Sequence, residues 1–167
     1  MCTFYSLQPT VRTGKPGREA RGMEAYAMAG HLIRRLHQQS TQVFGQHARE
    51  AGFDVTSVQF AAMDAIRSHP GIDQAGVAAL IAYDRATIGG VIDRLIGKGW
   101  VARSISARDR RAREVRLTPE GEAVFAALLP VVRALQEQIL GPLSPEERTA
   151  FLSLARKALA VDPAQDA

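Results

Sequence analysis

The sequence predicts a mainly α chain interrupted once by a β-hairpin, and three observations point to it. Apolar residues recur at helical spacing through most of the chain. Helix-start signals open three of these stretches, at Thr56-x-x-Gln59, Thr118-Pro119 and Ser144-x-x-Glu147. Only between Gly99 and Thr118 do two short segments read as paired strands, with an arginine-rich run between them.

The elements run in order along the chain. Residues 1–22 carry Pro9, Gly14, Pro16, Gly17 and Gly22 among polar and basic side chains, a composition that builds no core element and predicts a flexible or partner-dependent arm. From Tyr26 to about Arg49, the series Ala29, Ile33, Leu36, Ser40, Val43 and His47 marks an unusually long first helix, closed by Gly52. Thr56 and Gln59 then form a capping box for a helix that ends at His69-Pro70-Gly71. A short helix covers about 73–81, a tight turn occupies Ala82-Tyr83-Asp84, and a further helix is expected from Arg85 to Lys98, with Asp84 as its cap and Gly99 as a left-handed stop. Strands are expected at 100–105 and 114–117. Thr118 caps a long helix to Leu140, with Pro119 in the first turn, where its missing amide costs nothing, and Pro130 as an expected kink. That helix is apolar over more than half its circumference (Phe125, Leu128, Val132, Leu135 and Ile139, widened by Val124 and Leu129), which suits packing by a second subunit. Ser144 and Glu147 open the last helix, and residues 161–167 read as a frayed tail.

Two short helices joined by a tight turn and followed by a basic hairpin make a winged helix-turn-helix, here at about 56–117. Helices at about 23–50 and 118–160 would then serve dimerisation, in a single domain over 23–160. The second helix of the motif lies in the DNA major groove, with its first residues at the base edges. Those residues are Arg85, Ala86, Thr87, Gly89 and Gly90. Arg85 suits a guanine edge or a phosphate, and the Thr87 methyl suits a thymine methyl. Two glycines inside a helix cost roughly 1 kcal/mol each against alanine, so they need a reason, either close packing on the preceding helix or close approach to DNA. Arg94 and Lys98 suit phosphates. Asp93 reads either as an orienting partner for Arg94 or a hairpin arginine, or as a plain solvent-facing charge.

The formal net charge is +4, a modest bias toward polyanionic partners. The position of the charge says more than its size: Arg103, Arg108, Arg110, Arg111, Arg113 and Arg116 stand against only Asp109 and Glu114 around the hairpin.

The stretches Asp84-Arg85-Ala86-Thr87-Ile88, Val91-Ile92-Asp93-Arg94-Leu95, Lys98-Gly99-Trp100-Val101-Ala102-Arg103, Asp109-Arg110-Arg111 and Leu117-Thr118-Pro119-Glu120-Gly121 resemble the MarR family of bacterial regulators. The Asp-x-Arg hairpin and the Leu-Thr-x-x-Gly helix start are the most telling parts, and the resemblance extends over residues 26–160. It implies that Asp109 orients Arg111, which enters the minor groove, where a narrow groove concentrates negative potential. Arg108, Arg110 and Arg113 would add phosphate contacts. Gly89-Gly90 departs from the polar residues common at these positions, and the N-terminal arm is longer than the common pattern. The resemblance further implies a homodimer on a near-palindromic duplex and a pocket for a small aromatic carboxylic acid or phenol. Candidate lining comes from His31, Arg34, His37 and Gln38 with Phe60, Met63, Phe125 and Leu129, since a cation beside an aromatic wall suits a carboxylate on a flat ring. Each of these also reads as ordinary surface or core.

Other classes find less support. No apolar run approaches the ~20 residues of a membrane helix, and a cytoplasmic protein is expected. Cys2 has no partner in the chain, so a redox switch would rest on a thiol in a loose arm. His31, His37, His47 and His69 include no i,i+4 pair, and no metal or cofactor is expected. No nucleotide-binding or hydrolase motif is present, so no enzymatic activity is expected. An architectural DNA binder without ligand response is the remaining alternative.

Overall fold

A computed structural model of the protein describes residues 24–105 and 113–160. The expectations for residues 1–22 (with Cys2), for Arg108, Asp109, Arg110 and Arg111, and for the tail at 161–167 lie outside the described residues. The chain divides into two units, one through Arg35 and one from Leu36 onward.

The first unit contains a 3-10 turn at Glu24–Ala27 and the opening turns of α1 (Ala29–Glu50). Tyr26 meets the His31 ring edge-on at 5.1 Å, and the Arg35 guanidinium lies over the same tyrosine at 5.5 Å. Its apolar side chains Tyr26, Met28, Leu32 and Ile33 are exposed.

The second unit continues α1 and adds α2 (Ser57–Ser68), α3 (Gln74–Leu80), α4 (Ile88–Gly97), β1 (Val101–Ile105), β2 (Arg113–Leu117), α5 (Pro119–Ile139) and α6 (Pro145–Leu159). The capping boxes expected at Thr56 and Ser144 are both formed, with Gln59 and Glu147 returning to the cap amides. They start α2 and α6 by satisfying amides that a helix leaves free.

Two apolar clusters hold this unit. In one, Met63 and Ile66 of α2, Val77 of α3, Ile88, Ile92 and Leu95 of α4, Val101 and Val115 of the hairpin, and Phe125 of α5 pack together. In the other, Phe44 and Ala48 of α1 meet Val55 and the α5 residues Leu128 and Leu135. Phe60 and Trp100 border both. Polar ties join α1 to the far end of α5: Gln39 donates to the Ile139 carbonyl (2.8 Å), and His47 Nε2 lies 2.6 Å from Gln138 Oε1.

The strands pair antiparallel, Val101 opposite Leu117 and Arg103 opposite Val115. The Val115 amide also donates to the Ile72 carbonyl (2.9 Å), so the residues before α3 lie against the outer side of β2. This ties the hairpin base to the start of the helix-turn-helix.

Candidate nucleic-acid interface

Asp73 starts α3 by accepting the Gly76 amide (2.7 Å). α3 is apolar on the face that carries Val77 and Ala78, and it stops at a sharp turn where Ala82 adopts φ 50°, the left-handed region that L-residues enter at a cost. The Tyr83 amide returns to the Ala78 carbonyl (2.9 Å) and closes this turn.

Asp84 does act as a cap, but of a turn and not of a continuous helix. Its Oδ1 accepts the amides of Ala86 (2.9 Å) and Thr87 (3.1 Å), and the Thr87 hydroxyl donates to its carbonyl (3.2 Å). α4 therefore begins at Ile88, later than the expected Arg85. The cause is local: the aspartate side chain competes for the first amides and holds 84–87 in tight geometry. Arg85 and Thr87 accordingly sit on an exposed turn in front of the helix, with the Thr87 hydroxyl engaged.

Along α4, Ile88, Val91, Ile92 and Leu95 are buried, and Gly90, Asp93, Arg94 and Gly97 are exposed. The glycine pair separates into two cases. A Cβ at Gly89 would stand 2.9 Å from Gln74 Nε2 of α3, whereas a Cβ at Gly90 would meet nothing within 4 Å. The contact at Gly89 is with the far end of a flexible side chain, which can move aside, so packing strictly demands glycine at neither position. Gly99 takes φ 77° and ends the helix as expected. The Trp100 amide reaches back to the Leu95 carbonyl (3.0 Å) and the Gly99 amide to Ile96 (2.9 Å), the paired bonds of a Schellman stop.

Lys98 is engaged within the chain. Its ammonium donates to Asp54 Oδ2 (2.7 Å) and to the Asp54 carbonyl, and it lies 4.9 Å from the centre of the Trp100 ring. These bonds, to the loop before α2, occupy the charge expected to meet a phosphate. The Asp54 carboxyl is held below the ordinary carboxylate range by the Lys98 hydrogen bond and then by its charge.

Arg103 and Asp93 form an ion pair at 2.7 Å. Arg103 shares a strand face with the buried Val101, so its side chain is directed toward α4 and bridges hairpin to helix. Arg116 pairs with Glu114 at 3.0 Å. Arg85, Arg94 and Arg113 are exposed and have no side-chain partner among the described residues. Among the described residues, the motif thus brings the unpaired guanidinium groups of Arg85, Arg94 and Arg113 to its surface and pairs Lys98, Arg103 and Arg116 internally.

The aromatic residues expected as pocket lining stand differently. Phe60 stacks on Phe125 at 5.0 Å with the rings 7° apart, and the Arg67 guanidinium lies over Phe125 at 4.9 Å. Met63 (0 % exposed) and Phe125 (2 %) are closed within the core, so they present no surface to a ligand as the chain stands. Phe60 and Leu129 are half-buried at its margin. His37 and Gln38 are exposed on α1 in the second unit; Arg34 is exposed and His31 half-buried in the first, where the His31 Nε2 is buried without a hydrogen-bond partner. Two crevices of the second unit, one of about 250 Å³ beside Gly45, Arg49 and Ser57 and one of about 520 Å³ beside Ala61, His69 and Leu80, are lined by none of these residues.

Comparison with known proteins gives a consistent picture. Residues 55–112 match the model of the MarR family. The chain is 38% identical over 133 residues to the transcriptional repressor NicR of Pseudomonas putida, covering 80% of this chain and 83% of that one. It is 40% identical over 129 residues to the transcriptional regulator HosA of Escherichia coli, covering 77% and 93%. Among solved structures, Bordetella bronchiseptica BpsR, whose DNA binding is regulated by 6-hydroxynicotinic acid, superposes with a TM-score of 0.73 at 33% identity over 81% of this chain and 95% of that one.

Proposed function

The chain belongs to the MarR family of DNA-binding transcriptional regulators, and we propose that it is a homodimeric repressor released from a near-palindromic operator by a small hydroxylated aromatic acid. The observation that carries this reading is the exposed, unpaired set Arg85, Arg94 and Arg113 on a winged helix-turn-helix whose Lys98, Arg103 and Arg116 are neutralised within the chain. Charges left free on one motif serve a polyanion.

In this reading Arg85 and Thr87 meet base edges, Arg94, Arg108, Arg110 and Arg113 meet phosphates, and Arg111, oriented by Asp109, enters the minor groove. A two-fold dimer would set half-site centres about 34 Å apart. Exposed apolar side chains favour a dimer: Tyr26, Met28, Leu32 and Ile33 in the first unit, Leu152, Leu154 and Leu159 on α6 in the second. For the effector, the regulation of BpsR by 6-hydroxynicotinic acid supports an aromatic carboxylate. Within the second unit, His37 and Gln38 of α1 supply hydrogen-bonding groups that such an anion takes, with Phe60 and Leu129 as apolar candidates.

Fluorescence anisotropy on a duplex from upstream of the protein's own gene tests the whole reading, against excess random DNA and with a panel of hydroxylated benzoic and nicotinic acids. Binding that survives the competitor and is abolished by one acid supports it. Binding lost equally to random DNA, with no acid effect, replaces it with an architectural binder.

A further inference from the structure

The exposed residues of α4 (Gly90, Asp93, Arg94 and Gly97) fall at i, i+3, i+4 and i+7, a single face opposite the buried stripe. In a helix-turn-helix this is the face laid into the major groove, and its N-terminal part meets base edges. On this chain the face is almost bare. Asp93 is held by Arg103, Arg94 is the one unpaired side chain of the four, and Gly90, in the first turn, offers none. Gly97 is also blank but lies about 10 Å further along, at 1.5 Å per residue, at the end remote from the base edges.

Nothing within the fold calls for glycine at 90. Its φ is not positive, and a Cβ there would meet no atom within 4 Å. A helical glycine weakens its helix relative to alanine, and Gly90 does so with no compensating fit inside the chain. Gly89 beside it differs in facing the mobile end of the Gln74 side chain, whereas Gly90 faces open space.

We propose that Gly90 is an unread position in the DNA-facing surface: the base pair it faces in each half-site is selected by no side chain, and the residue at 90 decides whether the protein discriminates there. This rests on the regulator reading above. Arg85 and Thr87 then carry the direct selectivity of this motif, with Arg94 on a phosphate, and a side chain introduced at 90 projects into open space toward one base pair.

The test is selection of binding sites from random duplexes by the full chain, comparing wild type with Gly90→Gln, whose amide can bond adenine at N6 and N7. Wild type is expected to select a two-fold motif with one uninformative base pair in each half-site. Gly90→Gln is expected to favour adenine at that pair on the order of tenfold, with the other pairs unchanged. Gly90→Ala controls for the fold and is expected to melt above wild type. The proposal is overturned if every wild-type pair near the recognition helix is informative, if folded Gly90→Gln selects the wild-type motif, or if Gly90→Ala melts lower. A wild-type pool without any motif overturns the regulator reading itself, and this inference with it.

Discussion

Gly121 lies directly against the backbone of Trp100: a Cβ at 121 would overlap the Trp100 carbonyl oxygen and stand 2.9 Å from its carbonyl carbon. The same carbonyl accepts the Thr118 amide (3.0 Å), while the Thr118 hydroxyl donates to the Gly99 carbonyl (2.6 Å) and accepts the Gly121 amide (3.0 Å). Helix stop, first strand and next helix start are thus packed backbone to backbone, and this is the physical content of the Leu-Thr-x-x-Gly signature.

Gly121→Ala should therefore destabilise the chain by about 3 kcal/mol, the upper part of the range for overpacking, because backbone cannot rotate away as a side chain can. Thr118→Ala should cost about 1 kcal/mol through the lost cap. Urea denaturation of both variants checks this, and a Gly121→Ala midpoint equal to wild type would refute the close approach.

The strained turn between α3 and α4 makes the opposite prediction. Ala82 is exposed at φ 50°, so Ala82→Gly removes steric strain and should stabilise by up to about 1 kcal/mol, net of the greater freedom of glycine in the unfolded chain. Thermal melts would show a rise of a few degrees; a fall would mean that the turn carries no strain.

For the Arg103–Asp93 pair, exposure of the acid limits its worth to the fold to under about 1 kcal/mol. Its larger effect should be on DNA binding. Arg103→Ala leaves Asp93 as a bare negative charge on the exposed face of α4, whereas Arg103→Ala with Asp93→Asn does not. The single variant should bind DNA about tenfold more weakly than the double, as read by anisotropy at fixed salt. Equal loss in both would assign Arg103 a direct phosphate contact.

The Lys98–Asp54 pair should show in the acid limb of stability. The folded Asp54 carboxyl titrates below its unfolded value because Lys98 binds the charged form. Its contribution is full above the unfolded carboxylate pKa and is lost as pH falls through the lowered folded value. The melting-temperature gap between wild type and Asp54→Asn should therefore be present at neutral pH and close on acidification. A gap that does not change with pH would exclude the ion pair as its source.

Much of the fold is legible in the sequence because its determinants are local. The Thr56–Gln59 and Ser144–Glu147 boxes, the Thr118 cap with Pro119 and the Gly99 stop each involve residues no more than five apart, and their chemistry is set by neighbours in the chain. Burial of Val91, Ile92 and Leu95 comes from helical period alone. The start of α4 is not legible in the same way, because an aspartate that accepts the amides two and three residues on can cap either a helix or a turn, and the residue types are the same in both. What the tertiary structure alone decided are the pairings of residues far apart in the chain. Lys98 paired with Asp54, Met63 and Phe125 closed into the core, Gly89 came to face Gln74 while Gly90 met open space, and Arg103 chose Asp93. Each depends on which elements meet and at what distance, and long-range contact of that kind leaves no periodicity or spacing in the sequence from which to read it.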